Sequence, residues 1–267
     1  MSVPMERDLL DCALAAARAA VAVHRRHLGQ VTSDQWSEKG VADFVTDVDR
    51  EAEARIVEVI RARFPDHAIL AEEGGGVGPA SAEWLWIVDP LDGTTNYLHG
   101  YPAYAASVAV AHRGELVAGV VACAATGEEW WAVRGGGAFH DGRPIRVSGL
   151  TDLRLALIGT GFPFKAVHRL PEYLKQFDVV LRNTAGIRRA GSAALDLCHV
   201  ATGYFDGFWE LVLYPWDIAA GLLIVREAGG VVSSLEGGRD LLAGPGGVLA
   251  GNPAIHDALG RLLASVA

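Results

Sequence analysis

Trp84-Leu85-Trp86-Ile87-Val88-Asp89-Pro90-Leu91-Asp92-Gly93-Thr94-Thr95-Asn96-Tyr97 begins as an apolar run of strand length and breaks at Asp89-Pro90. Asp92 then stands just ahead of Gly-Thr-Thr-Asn, and Asp is a favoured helix N-cap. The first amides of a helix have no partner inside it. Two carboxylates at i and i+3 across a proline-fixed turn can converge on one spot. The free amides and the positive end of the helix dipole face that spot too. Carboxylates attract Mg²⁺ and helix-start amides attract phosphate, so the stretch points to metal-assisted phosphate chemistry. A plain strand–turn–helix connection with a capping Asp explains the same residues and stays open at this point.

Working outward, 267 residues make one large domain or two closely joined subdomains. Hydrophobic residues are 51% of the chain, but no apolar run approaches the ~20 residues of a membrane span. Met1-Ser2-Val3-Pro4-Met5-Glu6-Arg7-Asp8 has no basic segment followed by an apolar one, so no signal peptide is expected. Cys12, Cys123 and Cys198 are far apart and read as reduced, buried thiols of a cytoplasmic protein. The net charge of −9 argues against a nucleic-acid surface. It also means that an anionic phosphate needs a local positive source, which metal ions supply.

Along the chain, Leu9, Leu10, Ala13, Leu14, Ala17, Val21 and Leu28 have helical spacing over 4–28, with Gly29 as the stop. The polar stretch 30–43 reads as a mobile flap or a surface hairpin. Asp49 opens a helix running to about Arg63. Ile69-Leu70-Ala71 reads as a short strand ending in Glu72-Glu73. From Ala105 to Val133 three β-rich runs separated by turns predict an antiparallel meander. After about 145–155 the pattern alternates strand and helix. Helices are expected at 169–181, 192–202, 216–228 and 253–265, with a strand over Tyr204–Leu211. Asp217 opens its helix as Asp92 does, after an apolar stretch and beside an aromatic or a proline. Whether such scattered acids converge is not a matter that spacing decides.

Four blocks supply a further signal: Asp43-Phe44-Val45-Thr46-Asp47-Val48-Asp49, Ala71-Glu72-Glu73, the stretch Trp86–Tyr97, and Trp216-Asp217-Ile218-Ala219-Ala220-Gly221. In order and spacing the chain resembles the inositol monophosphatase family over about residues 5–265. That resemblance implies a layered αβαβα sugar-phosphatase fold with an N-terminal part over 1–150 and a C-terminal part over 151–267. It implies two to three Mg²⁺ held by Glu72, Asp89, Asp92, Asp217 and the backbone carbonyl of Leu91. Asp49 and Thr94 resemble the pair that orients the attacking water, and Gly93, Thr94 and Thr95 the phosphate-binding amides. Glu73 would support the ligands from behind, and Lys39 falls near the family's flap lysine. The chemistry implied is attack of a metal-activated water with a metal-stabilised leaving oxygen. Lithium sensitivity and a homodimer are likewise implied by resemblance.

Substrate choice is expected from the second half. Arg188, Gly191, Ser192 and Ala193 resemble the family's substrate block. Glu210 matches the acid that accepts the hydroxyls of a ring, a sensible receptor since each carboxylate oxygen takes two donors. The expected reaction is hydrolysis of inositol monophosphate with relaxed specificity. Histidinol phosphate, fructose 1,6-bisphosphate, NADP and adenosine 3′,5′-bisphosphate remain alternatives, because Arg188, Arg189 and Lys165 are candidates for a second phosphate site. A non-catalytic protein-binding role is a further alternative. The expected partner is a small phosphate monoester, not a nucleic acid or a membrane.

Overall fold

The structure is a computed structural model that describes residues 3–31, 36–40, 43–78, 82–238 and 240–266. Helix α1 (Val3–His27) buries Leu9, Ala13, Ala16, Ala17 and Ala20 completely, the i, i+3/i+4 stripe of an amphipathic helix. Strands β1 (Ser37–Gly40) and β2 (Asp43–Val45) pair antiparallel, so the polar stretch before Asp43 contains a hairpin. The Lys39 side chain lies outside the described residues. Helix α2 (Asp47–Arg63) follows, packed along α1.

The first sheet contains β3 (Ala68–Ala71), β4 (Gly75–Val77), β5 (Trp84–Asp92), β6 (Ala105–His112), β7 (Glu115–Cys123), β8 (Glu129–Val133), β9 (Gly137–His140) and β10 (Arg143–Pro144), with the short helix α3 (Thr94–Leu98) after β5. From β5 to β10 it is the expected antiparallel meander, and β3 joins parallel to β5. The second sheet has the order β12-β11-β13-β15-β14. Its strands are β11 (Leu157–Thr160), β12 (Gly186–Arg188), β13 (Gly207–Leu213), β14 (Val231–Ser234) and β15 (Gly246–Gly251). Four helices serve it: α4 (Leu170–Asn183), α5 (Ala193–Thr202), α6 (Pro215–Glu227) and α7 (Pro253–Ala264).

Burial divides these elements into layers. Trp86 and Val88 of β5 join α1 and α2 in one core cluster, while Ile87 between them joins α5 and α6 in another. Alternate residues of a strand face opposite sides, so β5 reads as a continuous apolar run because both its faces are covered. Phe208, Val248 and Ala250 of the second sheet meet the same α5–α6 layer from the far side, and α4 and α7 cover that sheet's outer face. The order helix, sheet, helix, sheet, helix is the αβαβα arrangement expected. Helix α6 is apolar on nearly every side because it is the central layer. It lies so close to the first sheet that a Cβ on Gly119 of β7 would be 2.9 Å from the Ala220 Cα.

Candidate active site

Strand β5 does not stop at Asp89-Pro90; it continues to Asp92. Asp89 pairs with Ser107 and Asp92 with Ala105, three steps on β5 against two on β6. This is a one-residue bulge, placed where Pro90 has no amide to give a neighbour. In a regular strand residues i and i+3 face opposite sides, and the extra residue brings Asp92 round to the side of Asp89. The Pro90 carbonyl left by the bulge faces the Nε2 of buried His24 at 2.8 Å, and the Tyr97 hydroxyl donates to the His24 carbonyl at 2.8 Å. Burial pushes the His24 imidazole down to about 4, so the ring is neutral.

Asp92 caps a helix, though not the one that follows it. The residue before α3 is Gly93, with φ of +90°, where a Cβ would lie 2.8 Å from the Ala103 carbonyl oxygen. The Asp92 Oδ2 instead accepts the Ser192 hydroxyl at 2.6 Å and the Ala194 amide at 2.8 Å, both at the start of α5. One acid of the first sheet is thereby fixed to a helix about 100 residues further along the chain. No side chain caps α3, and Gly93, Thr94 and Thr95 all line the central cavity.

Asp217 is closer in local geometry to Asp49 than to Asp92. Each sits at the third position of its helix and reaches back to the backbone before it. Asp49 Oδ2 accepts the Thr46 amide at 2.8 Å and the Thr46 hydroxyl at 2.6 Å; Asp217 Oδ2 accepts the Tyr214 amide at 2.8 Å. Asp49 is therefore a cap, as the plain reading has it, and something more: its second oxygen, Oδ1, lies 3.0 Å from the Thr94 hydroxyl.

Asp92, Asp217 and Thr94 line a cavity of about 260 Å³ between the two sheets, and Asp49 reaches it through Thr94. Glu72, Asp89 and Leu91 line it too. Burial raises the carboxyls of Asp89, Asp92 and Asp217 above the ordinary range, and neighbouring acids push in the same direction. Asp49 is raised by burial as well, against the hydrogen bonds from Thr46 and Thr94. Lys165 Nζ, 3.6 Å from Glu72 Oε1, opposes the repulsion. It belongs to the acid cluster rather than to a separate second phosphate site. Among the described residues no three His, Cys, Asp or Glu side chains form a ready-made cage for one ion. The acids form a lining of hard oxygen donors, which fits Mg²⁺ by donor type.

Gly191, Ser192, Ala193 and Glu210 line the same cavity, with the Ser192 hydroxyl against Asp92. Glu210 comes from β13, and a Cβ on Gly161 would lie 2.0 Å from its Oε2, so only glycine leaves room for this carboxylate. Arg188 does not line the cavity: it is exposed, and its Nη1 donates to the carbonyl of Ile187. Arg189 takes the place expected for it, with its guanidinium 5.1 Å from the ring centres of both Phe162 and Phe164. Glu73 is also outside the lining; its amide donates to Glu53 Oε2 at 2.8 Å, which ties the turn carrying Glu72 to α2. The sequence reading missed Glu53 and Asp196. Asp196 was open to detection as the one acid inside the apolar run Ala193–Val200 of α5.

The profile of the inositol monophosphatase family matches residues 5–266, the span that holds every element of this site. The chain belongs to the inositol monophosphatase family. The family member named Nus factor SuhB in Pseudomonas aeruginosa is 46% identical over 95% of this chain and 94% of its own length. The inositol-1-monophosphatase of Mesorhizobium japonicum is 45% identical over 94% of each chain. The crystal structure of the extragenic suppressor protein suhB from Bartonella henselae, 41% identical, covers 96% of this chain and 98% of its own, with a TM-score of 0.91. As a member of the inositol monophosphatase family the protein is an enzyme, a phosphatase. Among its described residues no helix is long and apolar enough to cross a membrane.

Proposed function

We propose that the enzyme hydrolyses myo-inositol 1-phosphate to myo-inositol and phosphate, with relaxed specificity and with two to three Mg²⁺ per chain. The observation that carries this reading is the presence in one cavity of the acid lining and of Glu210. A cavity of about 260 Å³ suits a small ester, below the ~300 Å³ at which drug-sized sites begin. Glu72, Asp89, Asp92, Asp217 and the Leu91 carbonyl are the residues we assign to the metal. Mg²⁺ held there would neutralise phosphate oxygens and lower the pKa of a bound water.

The chain's own residues do the positioning. Thr94 donates its hydroxyl proton to Asp49, which leaves its oxygen lone pairs free to accept a hydrogen bond from the attacking water. The amides of Gly93, Thr94 and Thr95 are assigned to the phosphate, and Glu210 to ring hydroxyls, with Gly191, Ser192 and Ala193 shaping that part of the cavity. Glu73 and Lys39 keep the supporting and flap roles that the family resemblance gives them. We divide the chain into a part over 1–150 that carries most of the metal ligands and a part over 151–267 that carries Asp217 and the substrate-selecting residues.

Three further assignments belong to this reading. The cytoplasm suits the three buried, free cysteines. A homodimer suits the exposed Val167, Leu170 and Leu174. The Nus factor name of the P. aeruginosa relative favours a second, protein-binding role alongside catalysis.

The test is phosphate release with Mg²⁺ from inositol 1-phosphate, histidinol phosphate, fructose 1,6-bisphosphate, NADP and adenosine 3′,5′-bisphosphate, repeated with Asp92→Asn. A lead for inositol 1-phosphate of about tenfold in kcat/KM, about 1.4 kcal/mol, with an inactive variant, supports the reading. A different leading substrate changes the substrate assignment, and an Asp92→Asn enzyme as active as wild type overturns the metal assignment.

A further inference from the structure

Asp196 is a buried acid that the site description above does not use. It lies in the first turn of α5, is 1% exposed and lines the cavity. Its Oδ1 is buried without a hydrogen-bond partner. A buried polar oxygen left unpaired is costly, so its presence calls for a partner that the protein alone does not supply. Helix capping does not account for it. The Leu195 amide is taken by the Ser192 hydroxyl, and the Ala194 amide by Asp92.

Two neighbours define what such a partner must be. Glu210, in the same cavity, has its carboxyl raised first by burial and next by Asp196, so the two acids stand close enough to feel one another. Arg189 is the cation that opposes both, held over the rings of Phe162 and Phe164. Both carboxyls line the same cavity, and Asp196 brings to it a buried, unpartnered oxygen. A hydroxyl both donates and accepts, so it pairs with a carboxyl in either protonation state. A second phosphate carries negative charge and is repelled wherever either acid is ionised.

Resting on the polyol reading above, we propose that Asp196 is a second hydroxyl receptor of the cavity. With Glu210 it forms a two-carboxyl floor that selects monophosphates of neutral polyols and rejects esters carrying a second phosphate on that side. The geometry thereby makes this part of the cavity an acidic subsite, the opposite of the basic pocket that bisphosphate substrates require.

The test compares wild type, Asp196→Asn and Asp196→Ala on inositol 1-phosphate, fructose 1,6-bisphosphate and phenyl phosphate, which has no hydroxyls. The quantity read is the ratio of kcat/KM values within each enzyme. Asp196→Asn is nearly isosteric and guards against loss of folding in the alanine variant. The inositol-to-phenyl ratio is expected to fall about tenfold in both variants, mainly through KM, the size of one lost hydroxyl contact of about 1.4 kcal/mol. The bisphosphate-to-phenyl ratio is expected to rise in Asp196→Asn. Ratios unchanged within twofold, whether or not the absolute rates fall, overturn the assignment, because a purely structural role lowers all substrates together. A wild type without preference for inositol 1-phosphate over phenyl phosphate overturns the polyol reading itself, and this assignment with it.

Discussion

The Thr94 hydroxyl lies 3.0 Å from Asp49 Oδ1 and 3.0 Å from the carbonyl oxygen of Leu91, and it has one proton to give. On the metal assignment proposed above, the proton would serve Asp49 once a cation occupied the Leu91 carbonyl, which would link metal binding and the orientation of Thr94 through a single hydroxyl. Thr94→Val removes it at little cost in volume. With inositol 1-phosphate as substrate, kcat is expected to fall by about 10²–10⁴, the usual worth of a positioned proton-transfer group, while Thr94→Ser keeps most of it. Steady-state phosphate release decides the point, and a Thr94→Val enzyme within threefold of wild type would remove Thr94 from the mechanism.

Asp49 has two duties that a variant separates. Its Oδ2 holds the start of α2 and its Oδ1 holds Thr94. Thr46→Ala weakens only the first, and is expected to cost about 0.5–2 kcal/mol of stability with most of kcat retained. Asp49→Asn is expected to lose activity as Thr94→Val does and to lower Tm as well. Paired thermal melts and rate measurements on the two variants check the division; equal kcat losses in both would show that capping alone matters.

Gly161→Ala tests the Glu210 pocket from the outside. The added methyl would occupy the space of the carboxylate, 2.0 Å from Oε2. Overpacking of this kind costs about 1–3 kcal/mol, unless Glu210 swings away. Selectivity for inositol 1-phosphate over phenyl phosphate is therefore expected to drop along with Tm, and Glu210→Gln is expected to lose selectivity with a smaller change in Tm. A Gly161→Ala enzyme with the wild-type ratio would place substrate recognition elsewhere.

The acid lining predicts a pH dependence that divalent cations reverse. Burial holds Asp217 above the ordinary carboxylate value of about 4, so the folded protein keeps this proton longer than the unfolded chain. In that window the native state binds more protons, and stability falls as pH rises through it. In EDTA, wild type is therefore expected to lose Tm relative to Asp217→Asn as pH rises from about 4 toward neutrality. Mg²⁺ restores wild type more than the variant. Comparison of the two proteins cancels His24, which acts in the opposite sense: its depressed pKa removes stability as pH falls. Calorimetric scans across this range give the answer, and a constant difference in Tm would mean that Asp217 is ionised without a cation.

Much of this was legible in the sequence because local signals and global arrangement agree. The apolar run Trp84–Val88, the meander and the Gly-terminated helices are period and punctuation, and they mark β5–β8, α1 and α5 to within a few residues. Of the acids in the four blocks, Glu72, Asp89, Asp92 and Asp217 line the cavity, and Asp49 and Glu73 do not. What was not legible depends on three-dimensional register. The bulge at Pro90 carries β5 on to Asp92, and Asp92 caps α5 rather than α3, because an oxygen has no sequence signal for which amide it will accept. Arg188 and Arg189 are adjacent, and only the direction in which β12 ends decides that the second one lines the cavity. Asp196 stands out as the one acid in an apolar run, but nothing in the sequence says that its helix lies beside a cavity.

Gly119 is on β7, away from the cavity lining, yet it sets a clearance on which the chemistry depends. Ala220 rests against the space where a side chain at 119 would be, and Asp217 is three residues earlier on the same helix. A single methyl at 119 would act as a shim under α6 and tilt its first turn. On the metal assignment proposed above, variation at this remote position would be felt as a change in the grip on the cation, and the strand would act as a tuning screw for affinity as well as a wall of the core.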